Sequence, residues 1–335
     1  MGLFSEEEES QMDLRATAVV FEGPRKVSLR EIELPEPGEA DVIIENVYTG
    51  ISVGTEGWIL RGERPVDTGF PCVPGYQQTG IISYVGPNVE GIRVGDRVNC
   101  LNTRLPAGLS AGWGAHVSRS VSAGGAVVKV PDGVSLKAAS LAKLFAVGYH
   151  GVEQTEIQEG DLVAVVGLGL IGQGYAQIAR ARGAKVVGAD LAQTRIDLAR
   201  EYSCDAAVLS AELEDAVREI KPEGADVVVE TAGKTELIDW CVKLARHGAK
   251  IVWQGWYPGR VSFEFHPAHG KRVKMIFPCS YEGEDVVLDM LAKGRLAIEP
   301  LITAVYPASQ APKAYELMLG DPNQFLGVTI KWRDE

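Results

Sequence analysis

The stretch of sequence that decides the fold is Val165-Val166-Gly167-Leu168-Gly169-Leu170-Ile171-Gly172. It follows an apolar strand-like run and opens a segment with helical spacing, so its glycines lie at a strand-to-helix turn. The first glycine permits a tight turn, the second lets a pyrophosphate approach the backbone, and the third lets helix and strand pack closely. The helix N-terminus then offers N–H groups to phosphate oxygens. The pattern predicts a dinucleotide site at Gly167, Leu168, Gly169, Leu170, Ile171 and Gly172.

An acidic residue stands where such a site binds the adenine ribose. Asp190 ends the apolar run 185–189 and follows Gly167 by 23 positions, near the ~20 usual for this acid. A carboxylate there accepts hydrogen bonds from ribose hydroxyls and repels a 2′-phosphate, so we expect NAD(H) to be favoured over NADP(H). Arg195 is a further cofactor candidate, because an arginine here can meet a 2′-phosphate. The alternative is that Asp190 only caps the next helix.

The sequence pattern changes along the chain and predicts two kinds of structure. Strand-like and helix-like segments alternate over residues 162–253, which predicts an α/β fold with a doubly wound parallel sheet. Residues 16–130 are instead glycine-rich with short apolar runs, which predicts a sharply turning β-rich domain. The predicted parts are an acidic flexible tail (1–13), a β-rich catalytic domain (14–145 and 286–335) and a dinucleotide-binding domain (146–285).

Composition excludes several function classes. The 335 residues are 46% hydrophobic and carry a net charge of -12, which argues against nucleic acid or an anionic membrane as partner. No run of apolar residues is long enough to span a membrane. The five cysteines are scattered and form no CxxC pair, so reduced thiols in the cytoplasm are expected.

A second glycine pattern resembles the signature of the zinc alcohol dehydrogenases. That signature is G-H-E, two residues, G, five residues, G, two residues, V. The chain keeps this spacing from Gly75 through Gly80 and Gly86 to Val89, with Tyr76-Gln77 in place of His-Glu. The resemblance covers nearly the whole chain. It implies a GroES-like catalytic domain, a Rossmann domain, hydride transfer between NAD and a small alcohol or ketone, and a homodimer joined through Rossmann edge strands.

The segment that would form this edge is 273–278, which is apolar and ends at a proline. Within the family, the segment Gly50-Ile51-Ser52-Val53-Gly54-Thr55-Glu56 is most similar to the bacteriochlorophyllide-type dehydrogenases. The segment is also similar to the sugar and cyclitol dehydrogenases that are related to this branch. The substrate implied is therefore a polyol, sugar, cyclitol or ring-bearing alcohol.

The positions that hold catalytic zinc in this family carry other residues here. The first ligand position is Ser52 or Val53, the second is Tyr76 and the third is Lys143. Serine or valine, tyrosine and lysine do not make a zinc site, which needs thiolate, imidazole or carboxylate donors. The four-cysteine lobe that holds structural zinc is also missing. We therefore expect no bound metal.

Alcohol oxidation without zinc needs another proton acceptor and another charge to hold the developing alkoxide. We hypothesise that Tyr76 and Lys143 supply them, because an ammonium near a phenol lowers the phenol pKa. The alternative is that both side chains only fill the space of the metal. Thr55 is a candidate for the hydroxyl relay and Ser52 for contact with substrate. The candidates for stacking on a substrate ring are Trp58, Trp113 and Trp256, with core or dimer packing as their alternative.

Three functions fit this sequence. The first is a zinc-independent NAD-dependent alcohol dehydrogenase. The second is a zinc-free enoyl or quinone reductase, which reduces a C=C bond and needs no alkoxide stabiliser. The third is a cofactor-binding protein without turnover. Lys143 and Asp190 favour the first.

Overall fold

The computed structural model describes residues 13–63, 69–257, 259–279 and 282–335. The predicted acidic tail lies outside the described residues, except for the exposed Asp13. Within the described ranges, no helix has the length and apolar character needed to cross a membrane.

The N-terminal part is built mainly from short strands, as its glycine-rich sequence predicts. The strands are β1 (Arg15–Gly23), β2 (Lys26–Glu33), β3 (Asp41–Gly50), β4 (Cys72–Val73), β5 (Gln78–Val85), β6 (Arg97–Cys100), β7 (Ser110–Ala111), β8 (Arg119–Ala123) and β9 (Val128–Lys129). The helices are α1 (Val53–Arg61), α2 (Leu136–Ala139) and α3 (Ala142–Thr155). One sheet has the order β2-β1-β4-β7.

Two helical features of this part differ from the sequence prediction. Helix α1 lies where only strands and turns were expected, and it ends at Gly62, whose φ of 72° suits a left-handed cap. Residues 136–151 carry Ala, Leu and Phe at helical spacing, which predicts one helix, but they form α2 followed by α3. The break coincides with a close backbone approach, because a Cβ on Gly50 would lie 2.2 Å from the carbonyl oxygen of Ser140.

The middle of the chain forms the predicted α/β unit. Its strands are β10 (Leu162–Val166), β11 (Lys185–Asp190), β12 (Ala206–Leu209), β13 (Ala225–Glu230), β14 (Ala245–Trp253) and β15 (Lys274–Ile276). Its helices are α4 (Leu170–Ala181), α5 (Gln193–Tyr202), α6 (Leu213–Ile220), α7 (Ile238–Leu244), α8 (Phe265–Lys271) and α9 (Glu284–Ala292). The strands pair in parallel in the order β12-β11-β10-β13-β14-β15. The predicted doubly wound sheet is confirmed.

The valine-rich strands of this sheet are buried because helices cover both faces. Side chains alternate between the faces along β10. Val163 and Val165 belong to the core cluster that contains Phe145 of α3, whereas Ala164 and Val166 belong to the cluster on the other face. The strand order reverses between β10 and β13, and ligands bind at such a switch point in open α/β sheets.

The C-terminal segment returns to the N-terminal strands. It forms β16 (Ile302–Pro307), α10 (Ala311–Gly320) and β17 (Gly327–Lys331). Strand β17 pairs antiparallel with β3, which gives the sheet order β16-β17-β3-β5-β6-β9, with β8 also on β3. The domain boundaries expected at 145/146 and 285/286 fall inside α3 and α9.

Candidate active site

A cleft of about 660 Å³ lies at the switch point of the parallel sheet. Its wall on the N-terminal side comes from α1, from the loop before β5 and from α3. Its opposite wall comes from the glycine loop and the ends of β13 and β14. The catalytic and substrate-binding candidates predicted from the sequence all line it: Ser52, Thr55, Trp58, Tyr76, Trp113, Lys143 and Trp256. The structure therefore brings together side chains that lie up to 204 positions apart.

The glycine loop has the geometry that its sequence predicts. Gly167 adopts a φ of 95°, in the left-handed region that favours glycine. A Cβ on Gly172 would lie 2.0 Å from the carbonyl oxygen of Gly167, whereas a Cβ on Gly169 would meet no atom within 4 Å. Gly169, Ile171 and Gly172 line the cleft, as does Leu170. The side chain of Leu168 instead packs in the core, so this residue contributes only its backbone to the site.

Asp190 joins the glycine loop to the next helix. Its Oδ2 accepts a hydrogen bond from the Leu168 N–H at 2.7 Å, and its Oδ1 accepts from the Leu191 and Ala192 N–H groups at 2.8 and 3.0 Å. The side chain is 7% exposed. These bonds hold the turn before α5, whose N-cap is Ala192, and fix the Asp190 carboxylate beside the glycine loop.

Arg195 lies between Asp190 and the C-terminal segment. Its Nη1 is 3.6 Å from Oδ2 of Asp190, and its Nη2 donates to the carbonyl oxygen of Phe325 at 3.0 Å. Arg195 lines the cleft. An acidic and a basic residue thus both lie where the ribose end of a dinucleotide would bind.

The residues at two of the implied zinc-ligand positions bond to each other. The Tyr76 hydroxyl donates to the Ser52 Oγ at 2.7 Å. The Tyr76 ring also packs against the edge of Trp113, with ring centroids 5.1 Å apart. Two hydroxyl groups capable of exchanging a proton therefore lie side by side in the cleft.

Lys143 forms a buried ion pair that the sequence did not identify. Its Nζ lies 2.6 Å from Oε1 of Glu284, and the two side chains are 4% and 6% exposed. Lys143 is on α3 and Glu284 begins α9. A buried lysine needs a carboxylate partner, but the sequence offers 45 acidic residues and no spacing rule that selects one. The carboxylate offsets the cost of burying the ammonium group.

These two bonds add a partner to each residue of the hypothesis on Tyr76 and Lys143. Neither bond joins the two side chains: the phenol donates to Ser52, and the ammonium pairs with Glu284. A positive charge and a pair of hydroxyls nevertheless line one cleft, which is the combination that the hypothesis requires.

A buried polar network fixes the backbone beside Ser52. Glu56 accepts from the Ser52 N–H at 2.8 Å, lies 3.0 Å from the His116 Nε2, and also accepts from the Tyr315 hydroxyl. The His116 Nδ1 lies 2.8 Å from the Thr49 Oγ1. Burial and the nearby Glu56 carboxylate raise the pKa of Tyr315, so its hydroxyl stays a donor. Glu56 lies in the quoted motif, yet the sequence alone assigned it no role.

The residues present do not fit a catalytic zinc ion. Hydroxyl groups and an ion-paired ammonium occupy the implied ligand positions, and zinc binds thiolate, neutral imidazole or carboxylate. In the described ranges, no group of three or more His, Cys, Asp or Glu side chains could hold a metal. No catalytic step is therefore derived through a metal.

We predict that the purified protein holds no stoichiometric zinc, because Lys143 places a positive charge at the third ligand position. Elemental analysis after dialysis checks this. Zinc retained at one equivalent per chain would contradict the assignment of the three ligand positions.

Two family models match this chain, one in the N-terminal β-rich part and one in the α/β unit. Residues 38–132 match the family model for the alcohol dehydrogenase GroES-like domain, and residues 171–293 match that for zinc-binding dehydrogenase. The chain is 30% identical to the 2-desacetyl-2-hydroxyethyl bacteriochlorophyllide A dehydrogenase of Cereibacter sphaeroides, over 96% of this chain and 99% of that protein. It is 27% identical to a probable D-xylulose reductase A of Arthroderma otae, over 89% and 92% of the two chains.

A solved structure shares the whole fold. It is an alcohol dehydrogenase of Escherichia coli CFT073 in complex with NADH, with a TM-score of 0.84 and 24% identity, covering 95% of this chain and 99% of that one. The resemblance drawn from the glycine patterns is confirmed, and so is the predicted fold class. The chain belongs to the medium-chain dehydrogenase/reductase superfamily of oxidoreductases, with an alcohol dehydrogenase-like GroES and Rossmann architecture.

Proposed function

We propose that the protein is an NAD(H)-dependent oxidoreductase that interconverts a secondary alcohol and its ketone without catalytic zinc. The alcohol is a polyol, sugar, cyclitol or ring-bearing alcohol. The observation that carries the proposal is one cleft lined by the glycine loop, by Lys143, which pairs with Glu284 behind it, and by the Tyr76 and Ser52 hydroxyls. The names of the relatives, a dehydrogenase of a ring-bearing compound and a sugar-alcohol reductase, support this substrate class.

The chain's own residues fit the nicotinamide cofactor and supply the remaining chemistry. The glycine loop and Asp190 would hold the dinucleotide, which would supply the acceptor for the hydride of the carbinol carbon. Tyr76 and Ser52 relay the proton of the substrate hydroxyl along their hydrogen bond, each accepting one proton as it passes one on, and the proton is released to solvent. Lys143 stabilises the negative charge that develops on the substrate oxygen, and Glu284 holds Lys143 in place. Thr55 lines the same cleft and is a second candidate for the proton path.

The alternative functions make different demands on this site. Reduction of a C=C bond by an enoyl or quinone reductase needs no cation at the zinc position, and a cofactor-binding protein without turnover needs neither hydroxyl. A steady-state assay separates them: NAD⁺ reduction with secondary alcohols, NADPH oxidation with enones, or neither. Only the first result supports the proposal.

We predict that NADH binds more tightly than NADPH, by about tenfold or ~1.4 kcal/mol. The Asp190 carboxylate faces a hydroxyl in one cofactor and a phosphate dianion in the other. Asp190→Ala should reduce the ratio of NADH affinity to NADPH affinity. It should also weaken the binding of both cofactors, because three backbone N–H groups lose their acceptor. Calorimetry with both cofactors measures this.

The matched control for this substitution is Asp205→Ala. Asp205 accepts a backbone N–H from Val186 at 2.7 Å but does not line the cleft. Asp205→Ala should leave the ratio of NADH affinity to NADPH affinity unchanged. Tighter binding of NADPH to the unsubstituted protein would show that Arg195, not Asp190, sets the preference.

We propose a cytoplasmic homodimer joined through β15. This strand forms an edge of the parallel sheet, as predicted for 273–278. Beside it, Phe265 and Phe277 are 70% and 68% exposed, and Phe277 stacks on Trp253. A second copy would cover these rings. Light scattering at micromolar concentration should give twice the chain mass, and a monomeric mass would contradict the proposal.

The five cysteines are free thiols, which favours a reducing compartment such as the cytoplasm.

A further inference from the structure

Glu230 is a buried carboxylate that the proposed chemistry does not use. It is the last residue of β13 and is 1% exposed. Its Oε2 accepts from the Gly233 N–H at 3.1 Å and from the Tyr257 hydroxyl. Such donors offset the free-energy cost of burying a carboxylate. The first donor belongs to the loop after β13 (231–234) and the second to the loop after β14 (254–257).

These two loops, 231–234 and 254–257, lie against each other, and residues of both line the cleft. A Cβ on Gly255 would lie 2.5 Å from the Gly233 nitrogen, and a Cβ on Gly233 would lie 2.6 Å from the Trp256 carbonyl oxygen. Glycine permits this approach of one backbone to another. The same Cβ on Gly255 would lie 2.6 Å from the Glu230 Oε2, so the carboxylate is beside the contact between the loops.

The main chain of Glu230 joins the two loops as well. Its carbonyl oxygen accepts from the Gln254 and Gly255 N–H groups, both at 2.9 Å. The loop after β13 is also bonded to the glycine loop, because the Thr231 Oγ1 donates to the Gly167 carbonyl oxygen at 2.7 Å. A continuous set of hydrogen bonds therefore joins the glycine loop to both loops.

The Tyr257 hydroxyl is a fixed donor to this carboxylate. Burial raises the pKa of the Glu230 carboxyl, and hydrogen bonds from Tyr257 and from the backbone of residues 232–234 oppose this shift. Burial and the nearby carboxylate raise the pKa of Tyr257, so its hydroxyl keeps its proton. The Tyr257 ring packs against Trp253, with ring centroids 5.6 Å apart. Packing of the ring thus directs the hydroxyl to Glu230.

The position of the two loops assigns them to one half of a bound dinucleotide. The sheet has the order β11-β10-β13-β14 around the glycine loop. Asp190 ends β11 on one side, where the adenine ribose is proposed, and the two loops follow β13 and β14 on the other side. A dinucleotide spans the switch point with its pyrophosphate at the glycine loop. Its nicotinamide half would therefore lie over the two loops, across the cleft from Tyr76 and Lys143.

We propose that Glu230 and Tyr257 are positioning residues for the nicotinamide half of the cofactor. By bonding to both loops, the Glu230 carboxylate holds them as one preformed surface, so the nicotinamide ring binds without first ordering a loop. Glu230 and Tyr257 are not among the residues that line the cleft, so they act through the loops. The inference rests on the proposed function only for the presence of a nicotinamide cofactor.

The test compares the binding of NADH with that of ADP-ribose, which lacks only the nicotinamide ring. Tyr257→Phe keeps the ring of the side chain and removes the donor. It should weaken NADH binding by about tenfold, the scale of one hydrogen bond to a charged group, and leave the affinity for ADP-ribose unchanged. Calorimetry measures both affinities. If the unsubstituted protein prefers NADPH, the same difference is expected between NADPH and 2′-phospho-ADP-ribose.

The matched control is Tyr202→Phe. Hydrogen bonding to Glu201 raises the pKa of Tyr202, so this tyrosine also has a glutamate partner, but it lies outside the cleft. The ring of Tyr202 packs against a core cluster of the same α/β unit. Tyr202→Phe should change neither affinity.

Substitutions of Glu230 separate its hydrogen bonds from its charge. Glu230→Gln keeps one oxygen that accepts from both Gly233 and Tyr257, because both donors share Oε2, so NADH affinity should stay near that of the unsubstituted protein. Glu230→Met removes the acceptor and should weaken NADH binding at least as much as Tyr257→Phe. Adding Tyr257→Phe to Glu230→Met should have little further effect, because the two residues share one bond.

The outcomes for the two ligands decide between positioning and general stabilisation. Equal loss of NADH and ADP-ribose affinity in Tyr257→Phe, or no loss of NADH affinity, would overturn the inference. Loss of NADH affinity alone, in a protein that turns over no alcohol, would support the inference and count against the proposed function.

Discussion

Replacing Lys143 with methionine should lower turnover by about 10² to 10³, the usual cost of losing one preorganised electrostatic partner. Methionine keeps the length and apolar stem of the side chain and removes the ammonium. Affinity for NADH should barely change, because the proposed contacts of the dinucleotide are with the glycine loop and Asp190. Steady-state kinetics on the substrate and calorimetry with NADH measure the two quantities separately.

The buried partner of Lys143 requires a second variant. Lys143→Met leaves the Glu284 carboxylate buried without its lysine partner, and the loss of one partner of a buried pair typically costs about 3–5 kcal/mol of stability. The double variant Lys143→Met/Glu284→Gln removes both charges and should recover most of this stability. It should not recover turnover. Recovery of both would show that the pair only stabilises the packing of α3 on α9.

A control lysine lies one helix earlier. Lys137 on α2 pairs with Glu299 at 2.9 Å, with both side chains partly exposed. Lys137→Met should leave turnover and stability nearly unchanged, because exposed pairs contribute little. Near-native turnover of Lys143→Met itself would instead make its position structural. Thr55 and His150, which line the same cleft, would then be the next candidates.

Tyr76→Phe should lower turnover in the same direction, because it removes the hydroxyl that donates to Ser52. If Tyr76 and Lys143 act as one unit, the double variant should be little worse than the worse single variant. The pH profile of Tyr76→Phe should also lose the limb that reports the proton-exchanging group. Additive losses would indicate that the two residues serve separate steps.

The glycine loop and the valine strands were predictable because each follows from a local rule. Backbone approach requires glycine, and a strand covered on both faces requires a continuous apolar run. The partners of the site residues follow no such rule. The bonds from Tyr76 to Ser52 and from Lys143 to Glu284 join residues 24 and 141 positions apart. Only the packing of the N-terminal strands, α3 and α9 selects those partners.

Helix α1 shows a different limit. Its sequence is rich in glycine, which lowers helix propensity and suggests a turn. The fold overrides this preference through tertiary contacts: Ile59 and Leu60 are buried, and Glu56 bonds to His116 from a distant loop. Local propensity is a weak prior wherever such contacts decide the conformation.

Two glycines of the proposed cofactor loop should differ in how alanine affects the stability of the cofactor-free protein. At Gly172 a Cβ would lie 2.0 Å from the backbone oxygen of Gly167, so the loop must shift even without cofactor. Gly172→Ala should therefore destabilise the cofactor-free protein by about 1–3 kcal/mol, as overpacking does. Displacement of the loop should also weaken NADH binding by about 10²-fold, as misplaced binding groups do.

Gly169→Ala should separate cofactor contact from folding. Its φ of -65° suits alanine, and a Cβ there meets no atom within 4 Å, so the unfolding midpoint of the cofactor-free protein should not change. NADH affinity should still fall, because the added methyl occupies the space through which the pyrophosphate approaches the backbone. The control is Gly125→Ala, which also has open space and lies outside the cleft. Thermal unfolding with and without NADH measures both effects. Unchanged NADH affinity in Gly169→Ala would mean that the pyrophosphate does not approach the backbone at this position.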